Sequence, residues 1–259
     1  MNRRFFACGA FFACAQVGAL SAQSPPTALS GDRFLLDGRE IRLADILAPS
    51  ENGPRGSAEP FAREATAVLA DLLASGAITI EDVAPSDRWS RRVVRAMVRS
   101  GETENRSITE ELVAAGAVRV RPETDDEGFV QRLLEAEAIA RDARRGLWFD
   151  WRYRIHAADD ANHAVGAFDI VEGVVFGATA RGGRVYLNFG EDYRSDFTVT
   201  AKSSLARKWT KQGLDLVALN KARVRVRGYV AWINGPSIEL LNPGQIEVLE
   251  RAPTDAAED

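Results

Sequence analysis

The stretch that decides the fold is Arg42-Leu43-Ala44-Asp45-Ile46-Leu47-Ala48-Pro49-Ser50. It continues a β-type segment at 40–43, which Asp37-Gly38-Arg39 joins to a second β-type segment at 33–36. An Asp-Gly pair between two alternating segments is a strong hairpin signal. The sequence therefore predicts that this stretch leaves the second strand of a hairpin.

The segments that follow predict a mixed unit of helices and strands. A Gly- and Pro-rich loop at 52–59 leads into a helix at 60–73, whose apolar residues share one face. The later predicted elements are strands at 77–83 and 93–98, helices at 107–115 and 127–144, and a closing Gly146-Leu147-Trp148. Strands grouped early, with helices inserted and trailing, are typical of α+β domains. We place this first domain at 30–155.

A second, all-β domain is predicted at 165–250, after a linker at 156–164 that is rich in Ala, Asp and Asn. Its β-type segments lie at 168–176, 184–189, 196–200, 223–232 and 237–241. Short strands at this spacing favour a small barrel or sandwich, and we interpret the unit as an OB-like β-barrel. The acidic tail at 251–259 is predicted to be disordered.

The N-terminus has the three-part layout of a secretory signal. Asn2-Arg3-Arg4 precede an uncharged apolar stretch and the small residues Ser21-Ala22, which predicts a signal peptide at 1–22 and a linker at 23–29. Both cysteines lie in this leader, so we expect a thiol-free, periplasmic or secreted mature chain. No stretch reaches the roughly 20 apolar residues of a membrane span. A lipid anchor at Cys14 is the alternative.

The charge and the histidine content exclude several classes of function. Removal of the leader's two arginines takes the net charge from −4 to −6, which argues against tight, sequence-blind binding to a polyanion. His156 and His163 are the only histidines and have arginine-rich surroundings, so we expect neither to bind a metal. So few histidines also argue against a nucleophilic triad.

Three short motifs and one helix occur in a recognisable order. The stretch at 42–50 is similar to the motif Arg-Leu-x-Gly-Ile-Asp-Ala-Pro-Glu. Ser30-Gly31-Asp32-Arg33 is similar to Asp-Gly-Asp-Thr. Asp87-Arg88-Trp89-Ser90-Arg91 is similar to Asp-Lys-Tyr-Gly-Arg. The segment at 109–116 resembles Asn-x-x-Leu-Val-x-x-Gly, with threonine in place of the asparagine. Together they resemble staphylococcal-nuclease-like (thermonuclease) domains. The resemblance covers about 30–148 and implies an SNase-like OB-fold β-barrel with three helices.

The resemblance implies a phosphodiesterase site in which two acids have been replaced. Arg42 and Arg91 match the family's two phosphate-contacting arginines, and Asp32 matches an aspartate that helps to hold Ca²⁺. Leu47 stands at the second metal-binding aspartate, and Ser50 stands at the glutamate that activates water. Calcium takes about 6–8 oxygen ligands, and a general base contributes about 10²–10⁴-fold. We therefore expect the domain to bind anions even though it no longer hydrolyses phosphodiesters efficiently.

Two other acids are candidates to compensate for these losses. Asp45 shares a strand face with Leu47 if the chain stays extended there, and Glu51 directly follows the serine. A structural role is the alternative for Arg42 and Arg91, which would then pair with acids in a solvent-facing network. The acids available for such pairs are Asp32, Asp45 and Asp87.

The second domain offers separate candidates for contact with nucleic acid. Alternation in the segment at 223–229 places three arginines on one face and valines on the other, and aromatic residues occur in the segment at 186–193. The candidates are Arg223, Arg225, Arg227, Tyr186 and Tyr193. The alternative is that valines and aromatic side chains fill the domain while the arginines face water.

Three hypotheses for the function follow. The first is an exported thermonuclease-like protein with a degenerate site, which binds nucleic acid or another phosphate-bearing anion without efficient hydrolysis. The second is an active Ca²⁺-dependent phosphodiesterase whose acids have moved to Asp45 or Glu51. The third is a structural protein of the cell envelope that binds a protein partner.

Overall fold

The computed structural model describes residues 25–53, 56–101, 105–192 and 194–251. The predicted signal peptide, Cys14 and Tyr193 lie outside these residues, as does the acidic tail from residue 252 onward.

The first unit contains β1 (Thr27–Ser30), β2 (Arg33–Leu36), β3 (Arg39–Leu43), β4 (Ile46–Leu47), α1 (Ala62–Ala74), β5 (Ala77–Ala84), β6 (Arg92–Arg99), β7 (Arg106–Ser107), α2 (Ile108–Ala114), β8 (Arg119–Val120), α3 (Glu127–Asp142) and 3₁₀ helices at Gly146–Phe149 and Trp151–Tyr153.

The second unit is richer in strands. It contains β9 (His156–Ala157), a 3₁₀ helix (Ala158–Ala164), β10 (Phe168–Val174), β11 (Gly177–Arg181), β12 (Arg184–Asn188), β13 (Thr198–Lys202), α4 (Ser203–Lys211), a 3₁₀ helix (Val217–Leu219), β14 (Arg223–Tyr229), β15 (Ala231–Trp232), β16 (Pro236–Leu240), a 3₁₀ helix (Pro243–Gln245) and β17 (Ile246–Glu250).

The predicted hairpin forms the start of the largest sheet. Strands β2 and β3 pair antiparallel, and Asp37 and Gly38 both have positive φ angles, of 50° and 73°. Two consecutive positive φ angles are the geometry of a type I′ turn, which Asp-Gly favours. The sheet order is β1-β2-β3-β6-β5, with β7 also paired to β6, and β3 runs parallel to β6. This parallel pairing brings the stretch after β3 close to the start of β6.

The mixed α+β class is confirmed, and the strands of the described residues do not form a closed barrel. The strands of the described residues pair as separate open sheets, with orders β17-β14-β10-β9 and β11-β12-β13-β16-β15 in the second unit and a β4-β8 ribbon in the first. Each unit has its own apolar core. The first is built around Phe34, Leu69 and Leu112, and the second around Val226 and Trp209.

The segment at 156–164, predicted as a linker, is ordered and packed. Strand β9 pairs parallel with β10, and the following 3₁₀ helix buries Ala161 and Ala164. The helix α4 has no counterpart among the predicted elements. It buries only Ala206 and Trp209, and two buried residues are too few to reveal a helical period in the sequence. No helix within the described ranges has the length and apolar content that crossing a membrane requires.

A buried ion pair connects the two units. The Arg227 side chain on β14 is 1% exposed, and its Nη1 donates to Glu137 Oε2 on α3 at 2.7 Å. Its Nη2 donates to Glu247 on β17, also at 2.7 Å. The other Glu137 oxygen accepts from the Val120 amide at 2.7 Å, and Arg227 Nη1 also donates to the Val120 carbonyl at 3.2 Å. The ion pair therefore hydrogen-bonds to both the amide and the carbonyl of Val120 on β8.

We expect Arg227→Met to lower the free energy of unfolding by about 3–5 kcal/mol, because it leaves the Glu137 carboxylate buried without its main partner. Urea unfolding of the full chain measures this loss. Adding Glu137→Met to the variant should recover part of it, since the second substitution removes the unpaired charge. Equal stability of Arg227→Met and wild type would show that the ion pair does not stabilise the boundary.

His156 lies between two carboxylates of the second unit. Its side chain is buried, with Nε2 3.5 Å from Asp169 Oδ2 and Nδ1 3.5 Å from Asp160 Oδ2. Interaction with Asp169 raises the pKa of His156 above its ordinary value of 6.5, against the opposing effect of burial. A raised pKa stabilises the folded state fully below pH 6.5, and this contribution is lost as the pH rises through the folded pKa.

We therefore expect the difference in unfolding free energy between wild type and His156→Gln to be largest below pH 6.5 and to shrink toward pH 8. Urea unfolding at several pH values measures it. A difference that grows with rising pH would contradict the assignment.

Candidate functional site

Most of the residues that the sequence singled out in the first domain line one cleft of about 270 Å³. The end of β1, β3, the loop after β4 and the turn before β6 contribute to it. The predicted residues that line it are Asp32, Arg42, Leu47, Ser50, Glu51 and Arg91. Trp89, Arg121 and Tyr229 also line it, and Tyr229 belongs to β14 of the second unit. The cleft is therefore built from both units.

Arg42 is buried and fully engaged by carboxylates. Its Nη1 and Nη2 donate to the two oxygens of Glu123 at 2.7 and 2.9 Å, and its Nε lies 3.5 Å from Asp87 Oδ2. Such a bidentate pair fixes the plane of the guanidinium. An incoming anion would therefore have to compete with Glu123 for this arginine.

Arg91 is held in a similar way at the other side of the cleft. Its Nε and Nη2 each lie 2.7 Å from Asp87 Oδ2, and its Nη1 donates to Glu40 at 3.2 Å. Burial acts to raise the pKa of Asp87, but hydrogen bonds from Arg91 and from the Trp89 amide outweigh it and lower the pKa below its ordinary value. The Asp87 carboxylate thus stays charged beside both arginines.

Trp89 presents an aromatic face beside these charges. The guanidinium carbons of Arg88 and Arg91 lie 3.9 and 4.4 Å from its ring centroid, although the residue is 59% exposed. Tyr229 is also exposed, at 58%, and packs edge-on against Phe168. The cleft therefore combines arginines with two accessible aromatic side chains.

Asp32 lies at the end of the cleft where β1 meets β2. Its Oδ1 accepts from the Ser30 hydroxyl at 2.7 Å, its Oδ2 accepts from the Ala48 amide at 3.4 Å, and Arg33 Nε lies 3.8 Å away. Gly31 permits this arrangement, because a Cβ there would lie 2.6 Å from the Cβ of Ala65 on α1. Asp32 is thus held by local partners as a turn residue.

The two positions at which the family has acids supply no carboxylate. Leu47 pairs with Arg119 in the β4-β8 ribbon. The Ser50 amide donates to Glu59 at 2.7 Å, and its hydroxyl accepts from the Asn52 amide at 3.1 Å.

The proposed replacement by Asp45 is wrong. The chain does not stay extended there, because Asp45 adopts a left-handed φ of 62° and its side chain is fully buried away from the cleft. Its Oδ1 accepts from the amides of Glu123 and Thr124, both at 2.9 Å, and its Oδ2 accepts from the Thr124 hydroxyl at 2.7 Å. Both oxygens are used to fix the 123–124 loop. Glu51 does line the cleft, but its carboxylate accepts from Arg63 Nε at 2.9 Å.

Two acids at the site were missed by the sequence analysis. Glu40 bridges Arg33 and Arg91, and its position two residues before Arg42 on one strand was a usable signal. Glu123 lies 81 residues from Arg42 in the chain, and no local pattern could have paired them.

The donor set of the cleft does not fit a calcium ion. Among the residues that the structure describes, no three or more His, Cys, Asp or Glu side chains form a group that could hold a metal ion. Asp32 and Glu51 each have protein partners, and Ca²⁺ requires several oxygen ligands with charge to offset its own.

The described candidates in the second unit, Arg223, Arg225, Arg227 and Tyr186, do not line this cleft. Arg227 must be withdrawn as a nucleic-acid contact, because α3 and β8 cover it and its charge is paired with Glu137. Arg223 and Arg225 share the predicted face, but both donate to Glu172. Tyr186 is half-buried on β12.

Residues 40–150 match the family model described as staphylococcal nuclease homologue. This confirms the resemblance that the motifs indicated, and the chain contains a staphylococcal-nuclease-like domain. No curated protein matches the sequence.

We expect Asp45→Ala to lower the free energy of unfolding by about 3 kcal/mol, because three hydrogen bonds to a buried carboxylate are lost. Asp45→Asn should cost less, since asparagine tolerates the left-handed conformation and retains an acceptor for the two amides. Urea unfolding measures both variants. Wild-type stability of Asp45→Ala would contradict its structural role.

Proposed function

We propose that the staphylococcal-nuclease-like domain binds single-stranded nucleic acid, or another phosphate-bearing anion, in the cleft described above without hydrolysing it efficiently. The observation that carries this proposal is the composition of the cleft. Arg42, Arg91 and Arg121 lie together with the open rings of Trp89 and Tyr229. Guanidinium groups bind phosphates, and exposed aromatic rings stack on bases of any sequence.

Anion binding in this cleft works by exchange of partners. The cleft arginines Arg33, Arg42, Arg91 and Arg121 face the carboxylates of Asp32, Glu40, Asp87 and Glu123, so the charges balance. A phosphate enters by displacing Glu123, which is partly exposed and held by two arginines at once. Affinity is accordingly modest and falls steeply with salt.

Weak hydrolysis follows from the side chains at the two replaced positions. The leucine at position 47 offers no ligand to a cation, and the hydroxyl of Ser50 does not accept a proton from water near neutral pH. The arginines can still stabilise negative charge, but they do not generate a nucleophile. Binding is therefore the activity that the remaining groups support.

Two further parts of the proposal concern the whole chain. The second unit acts as an OB-like module that extends the cleft through Tyr229. The chain is exported to the periplasm or secreted, which is consistent with a leader-like segment at 1–22 and with cysteines confined to that segment.

One alternative retains a specific observation in its favour. Glu51 lines the cleft and is exposed, so an active Ca²⁺-dependent phosphodiesterase would use it together with Asp32. A structural role in binding a protein partner would also use the paired arginines and the exposed aromatic rings, and it predicts no salt-dependent binding of DNA.

Fluorescence anisotropy with labelled single-stranded DNA at low and high salt tests the proposal. We expect Arg91→Gln to weaken binding about tenfold, because one charge-assisted contact to phosphate is lost. Arg92→Gln is the matched control, since this neighbouring arginine is exposed and paired with Asp82 outside the cleft. Glu123→Gln should strengthen binding by freeing Arg42, whereas Glu81→Gln, on the exposed face of β5, should not.

A nuclease assay with added Ca²⁺ separates the proposal from the active-enzyme alternative. The proposal predicts no efficient cleavage. Robust cleavage that is abolished by Glu51→Gln, by Asp32→Asn and by Arg42→Gln would overturn it. DNA binding that Arg91→Gln and Arg92→Gln weaken equally would exclude this cleft as the binding site.

A further inference from the structure

A cavity of about 620 Å³ adjoins the cleft of the proposed function. That cleft, which contains Arg42, Arg91 and Arg121, is called the arginine cleft below, and the neighbouring cavity is called the β16 cavity. Arg121 and Tyr229 line both, so the two are adjacent at these side chains. Most of the remaining wall of the β16 cavity comes from the second unit, from β12, β13, the β15–β16 hairpin and the residues after β16.

Large apolar side chains stand exposed around this cavity. Ile233 and Leu241 are 66% and 65% exposed, and both line it. The Tyr229 ring, which is 58% exposed, adds an aromatic surface at the boundary with the arginine cleft. Exposed apolar side chains that cluster around a concave surface are typical of ligand sites.

The backbone that carries these side chains is fixed before any ligand arrives. The Ile233 amide donates to the Gly235 carbonyl at 2.8 Å in the turn that joins β15 to β16. A Cβ at Gly235 would lie 2.5 Å from the Ser195 carbonyl oxygen, so this turn packs closely on the loop before β13. The Leu241 amide donates to Gln245 Oε1 at 2.7 Å. The cavity is therefore preformed, which lowers the entropic cost of binding.

The polar groups of the cavity include donors and acceptors but carry no net charge. Arg184 Nη1 donates to Glu239 Oε1 at 2.9 Å, and the two side chains are 38% and 42% exposed. Arg121 Nη2 likewise donates to Glu123 at 3.2 Å. All four side chains line the cavity, and their charges offset each other. These walls suit an uncharged group that has apolar faces and a polar edge, which is the chemistry of a nucleobase.

We propose that the β16 cavity receives a base of the nucleic-acid strand whose phosphates bind in the arginine cleft. This inference rests on the proposed function and extends the same site from the first unit into the second. The base stacks on Tyr229, and its faces contact Ile233 and Leu241. Its polar edge meets the Arg184–Glu239 pair. A base in this position has left any double helix, so the bound strand is single.

Fluorescence anisotropy with two labelled strands of equal length tests the inference on the full chain. One strand is ordinary single-stranded DNA, and the other is fully abasic, so that it keeps the phosphates but has no bases. We expect Ile233→Asp, which puts a charge into the apolar wall, to weaken binding of the ordinary strand about tenfold, because stacking and apolar contact with the base are lost.

Leu249→Asp is the matched control for this substitution. It makes the same charge change at an exposed apolar residue of the second unit, on β17, and Leu249 does not line the β16 cavity. On the abasic strand Ile233→Asp should have no larger effect than Leu249→Asp. Equal effects of the two variants on the ordinary strand would overturn the inference. An effect of Ile233→Asp that is the same on both strands would overturn it too.

Leu241→Asp takes the place of Ile233→Asp, with the same measurements, if that variant fails to fold. The inference and the proposed function fail separately. Arg91→Gln should weaken binding of both strands, because both carry phosphates. DNA binding that depends on Arg91 but is unchanged by Ile233→Asp and Leu241→Asp would refute the base cavity alone. Wild type that binds neither strand would refute both proposals.

Discussion

The ion pair between Arg227 and Glu137 is the interaction on which the boundary between the two units depends. It joins β14 to α3 across the boundary of the units, and its two side chains bind the amide and the carbonyl of Val120. Val120 lies between Arg121, which lines the arginine cleft, and Arg119, which lines a second cleft, of about 410 Å³, between the units. Loss of either partner of a buried ion pair strongly destabilises the fold, because the remaining charge is left unpaired. The position of β8 is therefore set by charge as well as by packing.

The two clefts use arginine in opposite ways. In the arginine cleft every guanidinium meets a carboxylate, and the molecule is locally neutral before any ligand arrives. In the cleft between the units Arg119 has only a carbonyl and two aromatic rings as partners. The guanidinium groups of the arginine cleft can bind an anion only by exchange of partners, whereas Arg119 is held by groups that carry no formal charge.

The second unit contributes to both clefts. Tyr229 extends the arginine cleft, and His156, Phe168 and Asp169 form one wall of the other. The segment at 156–164 that precedes β10 is packed against the second core, so these side chains are held in place. The staphylococcal-nuclease-like domain thus acquires surfaces that it would not have alone.

Local signals in the sequence determined the hairpin, the helices of the first unit, the α+β class and the motifs that place Asp32, Arg42, Ser50 and Arg91 in one cleft. These features depend on turn chemistry and on periodicity, which are properties of neighbouring residues. Tertiary structure alone decided that Asp45 is buried and binds the 123–124 loop, and that Glu123 pairs with Arg42. It also decided that Arg227 is buried while Arg223, on the same strand face, is exposed. The reason is that alternation tells which residues share a face, but the elements that pack against that face decide whether water, a carboxylate or a ligand meets it.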